Sequence, residues 1–391
     1  MTRARKRKWR GAVAGLAALF GTALPAQAPL PVGELGAGAP AGVIEIAIVL
    51  DTSGSMKPLI EAARVGLWDI VNEIARRQPA PELRVALIGY GGRAEERARG
   101  WVTVRSPLTA DLDRVSEQLF ALTLGGGTEY VARALSTAVE TLAWSPPGPE
   151  TLRLIFLAGN EPADQDPEVD LLGAGRAADA GGIEVYAIYC GQASDEHAES
   201  WRGLAQASRG RFTTLALGAA ASLAETPVDR ELARLGEQLN GTFVELAGTE
   251  DAGRAALVAQ DRNVEELSLA AAAARAETKA GALYRPSWDL VNAVAAGRLN
   301  LEQVEEAKLP PALRALLPAE RQAWIEGVQT EREQLRERIL ALGEERRRHL
   351  DESAHRQGAA GARTFEAVVR EALREALEER GLESGSETEG D

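Results

Sequence analysis

Cysteine, histidine and aromatic side chains are scarce in this sequence. Its 391 residues include one cysteine and three histidines, and 5% of them are aromatic. A single cysteine excludes an internal disulfide, so the fold must rely on its apolar core or on a bound metal. The histidines stand far apart or in charged helical segments, which argues against a zinc site. Cys190 ends an apolar segment, and we expect it to be buried as a small hydrophobic residue rather than to act as a nucleophile.

An excess of basic charge is also missing. The chain has 44 Lys and Arg residues against 58 Asp and Glu residues, which gives a formal net charge of -14. Nucleic-acid binding requires a basic face, so this balance argues against it and favours cations or basic partners. We find no pairing of acid and base residues, no nucleophile beside a base and no phosphate-binding glycine loop, and we therefore expect a non-enzymatic protein.

The apolar run near the start of the chain, Gly11 to Leu24, is short for a membrane span. It follows a basic segment and precedes the small-residue stretch ALPAQA, a pattern that predicts a signal peptide over residues 1–28. The alternative is a signal anchor that stays attached. Cleavage near Ala26 or Ala28 would yield an exported protein, periplasmic or extracellular. Its net charge would be about -20, because six basic residues leave with the peptide.

Apolar segments alternate with amphipathic helical segments as far as residue 217. The strand-like segments are 44–50, 83–90, 101–104, 151–157, 183–190 and 211–217. This alternation predicts an α/β fold, a doubly wound and mainly parallel sheet flanked by helices. Ligands of such sheets bind outside the carboxyl ends of the strands, which is where the sequence DTSGSM stands.

The composition changes after about Gly218, where the chain becomes alanine-rich, charged and helical in its periodicity. We expect a flexible leader at 29–42, the α/β domain at 43–218, a helical extension with a short strand (GTFVEL) at 219–310, long amphipathic helices at 311–380 and an acidic disordered tail at 381–391. A segment from Pro29 to Gly218 should then fold by itself. Arg332 and Arg346 interrupt the apolar seam of the long helix, which disfavours a stable two-stranded coiled coil and leaves self-association through these helices as an expectation.

The segment IEIAIVLDTSGSM, Ile44 to Met56, carries the strongest chemical signal. An apolar strand ends in one carboxylate and three hydroxyls, those of Asp51, Thr52, Ser53 and Ser55. These are short side chains with hard oxygen donors, and a loop that turns back on itself can aim several of them at one point. Such a cluster suits a small divalent cation.

These residues resemble the von Willebrand factor type A domain. The pattern D-x-S-x-S at the end of the first strand matches Asp51, Ser53 and Ser55, and GGGTEY supplies Thr128 from a second loop. The resemblance covers about Val43 to Leu217. It implies a metal-ion-dependent adhesion site that holds Mg²⁺, or else Mn²⁺ or Ca²⁺.

In this family, serine and threonine hydroxyls ligate the metal directly, and a partner protein completes the coordination with an acidic group. The resemblance therefore implies direct ligation by Ser53, Ser55 and Thr128, with Asp51 acting through a bound water. The other interpretation of the same residues is a polar strand end in which Asp51 and Ser53 cap the following helix.

One position departs from the family pattern. The family supplies another aspartate after the fourth strand, whereas the sequence LIFLAGNEP places Gly159 there and Glu161 two residues later. With one carboxylate fewer, we expect weak metal binding unless Glu161 or a water substitutes. An aspartate at position 159 would complete the family's set.

The sequence thus favours an exported, non-enzymatic protein that binds a protein partner through a divalent cation. The alternative is a structural or assembly protein that has lost metal binding and acts through its helical C-terminal region. The segments AGNEP and SWDLV also resemble a group of exported bacterial proteins that carry this domain, which implies bacterial export. Trp288 and Asp289 in SWDLV either form a docking site or mark the start of a helix, with the tryptophan packed on the core. We expect the second.

Overall fold

The structure is a computed structural model that describes residues 42–77, 79–216, 224–246, 253–357 and 364–380. The predicted signal peptide, the leader up to residue 41, the boundary near Gly218 and the acidic tail lie outside the described residues. In the described ranges, no helix combines the length and the apolar character that a membrane crossing requires.

Six strands form one sheet, as the alternating pattern predicted. They are β1 (Val43–Asp51), β2 (Glu82–Tyr90), β3 (Val102–Thr109), β4 (Thr151–Gly159), β5 (Glu184–Tyr189) and β6 (Arg211–Thr214). Their order is β3-β2-β1-β4-β5-β6, and every neighbouring pair is parallel except β2 and β3. The central strand β1 is buried along almost its whole length, which accounts for its nearly continuous apolar sequence.

Some helices lie between these strands in the sequence, and others follow the last strand. Those within the α/β part are α1 (Lys57–Ala75), α2 (Leu112–Phe120), α3 (Val131–Thr141), α4 (Leu171–Ala180) and α5 (Ala198–Ala207). Those that follow are α6 (Asp229–Asn240), α7 (Gly253–Leu267), α8 (Leu269–Ala280), α9 (Leu290–Ala295), α10 (Pro311–Arg314), α11 (Pro318–Gln357) and α12 (Phe365–Glu378). Short 3-10 turns lie at Gly54–Met56, Ala94–Arg99, Leu301–Gln303 and Glu306–Lys308.

Each face of the sheet has its own apolar cluster, because successive residues of a strand point to opposite sides. On one face, Ile46 and Ile48 of β1 belong to a cluster with side chains of α1, α2, α8 and α12. On the other face, Ala47 and Val49 belong to a cluster with α3, α4 and α5. The first face is thus covered in part by helices that come from the C-terminal region.

Helix α12 completes the first face although it lies far along the chain from the sheet. Phe365 and Leu373 are buried in the cluster, and the Tyr186 hydroxyl of β5 donates to the carbonyl of Ala372 at 3.0 Å. Gly66 of α1 allows the close approach, since a Cβ there would lie 2.5 Å from the Cβ of Glu366. A segment that ends at residue 218 would lack these contacts.

Helix α8 lies between helix α1 on the sheet and the helices α6, α7 and α11. Its residues from Ala270 to Ala280 are all buried, and its many alanines allow close packing on every side. The charged residues among them are paired inside the protein. Arg275 lies 3.0 Å and Lys279 2.5 Å from Asp261 of α7. The alanine-rich, charged composition therefore belongs to an interior helix.

The long helix α11 packs within the chain through the seam that its sequence shows. Ile325 and Ile339 are fully buried, and the two arginines of the seam are buried as well. Arg332 pairs with Asp289 at 2.7 Å, and Arg346 pairs with Asp69 of α1 at 2.7 Å and with Asp229 of α6 at 3.1 Å. The seam that would form a coiled coil faces partners of the same chain, while self-association stays a prediction.

The expected strand GTFVEL is reduced to a single β-bridge between Glu245 and Asp289. Side chains occupy the backbone groups that a strand partner would use, because Asp289 accepts from the amide of Val244 at 2.8 Å and Arg332 donates to the carbonyl of Thr242. Asp289 also caps α9 by accepting from the amide of Asn292. Trp288 packs against the cluster of α6, α8 and α11, so the expected helix start on the core is confirmed.

Candidate metal-binding site

The carboxyl ends of three central strands meet at one edge of the sheet. Asp51 at the end of β1 is in register with Tyr90 at the end of β2, and Leu50 is in register with Ala158 of β4. The segment DTSGSM begins here and leads directly into α1. Its predicted place at the carboxyl edge of the sheet is therefore confirmed.

The DTSGSM loop gathers one carboxylate and two hydroxyls. Asp51 Oδ1 accepts from the amide of Ser53 at 2.7 Å, and the hydroxyl oxygens of Ser53 and Ser55 are 3.1 Å apart. Thr52 faces inward, where its hydroxyl donates to the carbonyl of Tyr90 at 2.8 Å. Ser53 precedes the turn at Gly54–Met56 and Met56 precedes α1, and neither caps with its side chain. Ser53 is therefore not a helix cap, whereas Asp51 binds the amide of Ser53 at the start of the turn.

Asp51 is the most unusual group of the loop. Its side chain is fully buried, and its Oδ2 atom has no hydrogen-bond partner within the described part of the chain. Burial raises the pKa of Asp51 to about 7 against the opposing hydrogen bonds from Ser53, and the nearby charges of Glu129 and Glu161 raise it further. An ionised carboxylate here lacks a compensating charge, which a bound cation would supply.

The loop that carries Thr128 is fixed beside the DTSGSM loop by backbone contacts. The amide of Gly125 donates to the carbonyl of Thr52 at 3.0 Å. Gly126 has a φ of +105°, and a Cβ there would lie 2.0 Å from the carbonyl oxygen of Gly92, so only glycine allows this approach. Thr128 itself is half-buried. The glycine run therefore holds the threonine loop at the same edge of the sheet.

Gly159 leaves space that its neighbours fill. A Cβ at this position would lie 2.2 Å from the Tyr90 hydroxyl oxygen and 3.2 Å from the indole ring of Trp201. The Tyr90 hydroxyl is itself held there, because it donates to the carbonyl of Ala158 at 2.9 Å. The space that a side chain at 159 would take is thus filled by Tyr90 of β2. Simply adding a side chain at 159 does not complete the site.

The turn after β4 brings two further groups toward the loop. Asn160 Oδ1 accepts from the Ser55 hydroxyl at 3.4 Å. Glu161 is half-buried, and its carbonyl accepts from the Trp201 indole at 2.8 Å. Its charge reaches the site, since it raises the pKa of both Asp51 and Glu129. Among the described residues, no hydrogen bond joins the Glu161 carboxylate to Asp51, Ser53, Ser55 or Thr128.

Cys190 lies beneath this edge and takes no part in the polar contacts of the loop. It is buried, and burial, with a smaller contribution from the charge of Asp51, raises the pKa of its thiol. Its amide donates to the carbonyl of Gly159 at 2.8 Å. The prediction of a small buried hydrophobic residue is confirmed.

Sequence reasoning missed Tyr90, Glu129 and Asn160. Asn160 and Glu129 stand beside predicted positions, so their polar character next to Gly159 and Thr128 was an available signal. Tyr90 could not be found this way, because its role depends on the pairing of β1 with β2. Within the described ranges, no three His, Cys, Asp or Glu residues form a group that could hold a metal. A site here would depend on hydroxyl ligands.

The donor set at this edge fits a small divalent cation. Hydroxyl and carboxylate oxygens are hard ligands of the kind that Mg²⁺ prefers, and this ion also keeps several waters. Asp51 Oδ2 has no hydrogen-bond partner among the described residues, so it can accept from a water bound to a cation. Ser53, Ser55 and Thr128 are the residues that would hold the ion, with Asp51 as the compensating anion.

The comparison with known families matches residues 45–222 to the von Willebrand factor type A domain. The α/β part of the chain, with its mostly parallel sheet flanked by helices, has the fold of that domain. Domains of this type are in general protein-interaction modules. No curated protein sequence matches the chain.

Three solved structures are similar to part of this chain at low sequence identity. They include proximal thread matrix protein 1 of the mussel byssus (16% identity, 45% of this chain and 42% of that one, TM-score 0.35) and a von Willebrand factor type A protein of Catenulispora acidiphila (18%, 45% and 39%, TM-score 0.33). A third is an aerotolerance-related membrane protein of Bacteroides fragilis (16%, 44% and 92%, TM-score 0.31). The chain thus spans about two fifths of the length of the first two proteins.

Proposed function

We propose that the von Willebrand factor type A domain at residues 45–222 binds a protein partner through a divalent cation held at the DTSGSM loop. The single observation that carries the proposal is the buried Asp51 carboxylate beside the hydroxyl pair of Ser53 and Ser55. Its Oδ2 atom has no hydrogen-bond partner among the residues that the structure describes. Ser53, Ser55 and Thr128 would hold the ion. The ion would supply an open coordination position that an acidic side chain of the partner fills.

The protein's own residues prepare this contact in three ways. Asp51 orders the loop by accepting a hydrogen bond from the amide of Ser53. The glycines at 125 and 126 allow the Thr128 loop to lie against the DTSGSM loop. Ser55 is exposed at the surface. With the carboxylate at position 159 absent, the ion keeps more of its positive charge. It would then bind weakly alone and more tightly together with an acidic partner.

Calorimetric titration of the full chain with Mg²⁺ and Mn²⁺ tests the metal site. Ser53→Ala and Thr128→Ala each remove one hydroxyl oxygen and should weaken binding about tenfold or more, because the ion tolerates incomplete coordination poorly. Ser136→Ala and Thr141→Ala on α3 are the matched controls and should bind as the parent does. A short aspartate-containing peptide should bind with metal present and be released by chelator.

A second candidate is a structural or assembly role that no longer uses metal. The observation that favours it is Gly159, where Tyr90 and Trp201 occupy the space of the family's aspartate. The C-terminal helices would then provide the working surface. Absence of Mg²⁺ and Mn²⁺ heats in the parent, with a folded domain, would select this candidate over the first.

Export is the remaining part of the proposal, and it rests on residues 1–28 alone. The basic start, the apolar run and the small-residue stretch before Pro29 support a cleaved signal. The mature protein should begin near Gln27 or Pro29. Amino-terminal sequencing of the functional protein that finds Met1 would contradict export by cleavage.

A further inference from the structure

We infer that Glu129 supplies the metal site with the negative charge that Gly159 does not provide. This inference rests on the proposed function, since it concerns the same divalent cation. Glu129 follows Thr128 directly and lies two residues before the start of α3. It is 7% exposed, which is rare for a glutamate unless it is paired.

Glu129 and Asp51 lie against the same glycine. A Cβ at Gly91 would be 2.8 Å from Asp51 Oδ1 and 3.1 Å from Glu129 Cγ. Gly91 has a φ of +73°, so the turn after β2 needs glycine both for its backbone and for the space it leaves. The bare backbone at 91 thus lets two acidic side chains approach each other at the edge of the sheet.

The charge of these two carboxylates is not balanced by a cationic side chain in the described part of the chain. Among the described residues, no ion pair joins Glu129 or Asp51 to a Lys, Arg or His side chain. The arginine of the following helix, Arg133, is taken by Asp166, which accepts two hydrogen bonds of 2.8 Å from it, and by Glu168. Two buried anions without a cation are costly, and a bound divalent ion would relieve that cost.

Glu129 is better placed than Glu161 to replace the missing aspartate. It shares a loop with the predicted ligand Thr128 and borders Asp51 through Gly91, whereas Glu161 is only half-buried in the turn after β4. Independently, the Oδ2 atom of Asp51 has no hydrogen-bond partner among the described residues, which supports a cation at this place. Glu129 therefore adds the charge to the site from the threonine loop rather than from β4.

Calorimetric titration of the full chain with Mn²⁺ and Mg²⁺ tests this inference. Glu129→Gln keeps the shape and removes the charge, so it should weaken metal binding about tenfold or more. Glu161→Gln tests the competing carboxylate and should change affinity less than about threefold. In chelator, Glu129→Gln should melt no lower than the parent, since it removes a buried unpaired charge. It should also show a smaller rise of melting temperature with Mn²⁺.

Glu129→Asp retains the charge on a shorter side chain and provides a second variant. It should bind Mn²⁺ at least about threefold more tightly than Glu129→Gln, and equal affinities would overturn a role for the charge. Parental affinity in Glu129→Gln, with weakened binding in Thr128→Ala, would overturn the inference and leave the proposed function standing. A loss confined to Glu161→Gln would overturn it in favour of Glu161. Absence of metal binding by the parent would overturn both the inference about Glu129 and the proposed function.

Discussion

At the residue scale, Tyr90 and Gly159 depend on each other. The Tyr90 hydroxyl reaches the carbonyl of Ala158 only because residue 159 has no side chain, and the Trp201 indole closes the same space from α5. Residue 159 is therefore a packing position, at the place where the family pattern has an aspartate. Any restoration of the family's aspartate has to move an aromatic side chain of the core.

Gly159→Asp should therefore destabilise the protein and fail to strengthen metal binding. Overpacking against Tyr90 and Trp201 is expected to lower the free energy of unfolding by about 2 kcal/mol or more, as measured by urea denaturation. The control is Gly327→Asp on α11, where an added Cβ meets nothing within 4 Å, and it should cost under about 0.5 kcal/mol. In Tyr90→Phe the effect of Gly159→Asp should shrink, because one close contact is removed.

Glu277 provides a second residue-scale prediction, on the pH dependence of stability. Burial raises the pKa of Glu277 to about 7, and the charge of Asp69 raises it further, although Arg346 and Arg76 act in the opposite direction. The folded state thus binds a proton that the unfolded state releases near pH 4.5. The contribution of Glu277 to stability is therefore present at low pH and lost as pH rises to 7 and above.

Glu277→Gln should resemble the parent near pH 5, where Glu277 is protonated when folded. At pH 8 the variant should be the more stable protein, by about 3 kcal/mol at most. Denaturation midpoints measured from pH 5 to pH 8 check the difference between the two proteins. Parallel curves for parent and variant would show that Glu277 does not titrate in this range.

At the element scale, α11 is held by charge as much as by apolar contact. Arg346 lies on α11 and reaches Asp69 of α1, Asp229 of α6 and Glu277 of α8, so a single guanidinium connects four helices. Arg332, further back on the same helix, connects it to Asp289 at the start of α9. Both arginines stand where a two-stranded coiled coil would place apolar residues, so the pattern specifies partners inside the chain.

Arg346→Met should be strongly destabilising, because it removes the cation that three buried carboxyl groups share. Removing one partner of a buried ion pair typically costs about 3 to 5 kcal/mol. Arg338→Ala on the same helix is the control, since its pair with Glu231 is largely exposed and should be nearly neutral. Urea denaturation, monitored by circular dichroism, measures the stability of both variants. Similar denaturation midpoints for the two would contradict a structural role for the buried cluster.

At the scale of the whole molecule, the sheet and the C-terminal helices share one apolar cluster. α12 covers part of the sheet beside α1, and α8 lies between α1 and the helices α6, α7 and α11. The α/β part and the helical part therefore stabilise each other. We therefore predict that residues 29–218 do not fold cooperatively by themselves, contrary to the expectation from sequence.

A chain that ends at Gln357 tests this directly, because it lacks α12 but keeps every other described element. It should melt well below the parent and bind a hydrophobic dye, since Phe365, Val369 and Leu373 no longer cover the sheet. A chain that ends at Arg380 is the matched control and should melt as the parent does. Equal melting of both truncations would show that α12 adds nothing to the core.

The sequence by itself determined the α/β fold, the position of the DTSGSM loop and the burial of Cys190. These follow from short-range patterns: apolar strand segments, helical periodicity, and an oxygen-rich turn directly after the central strand. The helix start at Asp289 is also of this kind, because an aspartate before an apolar helical run is a local signal.

Only the tertiary structure decided which groups surround that loop and what covers the sheet. Tyr90 fills the space at Gly159 because β2 pairs with β1, and Glu129 borders Asp51 because two separate loops meet at Gly91. The same holds for α12, whose apolar stripe shows that it packs but not on which surface. These contacts join residues far apart in sequence, and their partners are fixed by packing and charge in the folded chain rather than by local periodicity.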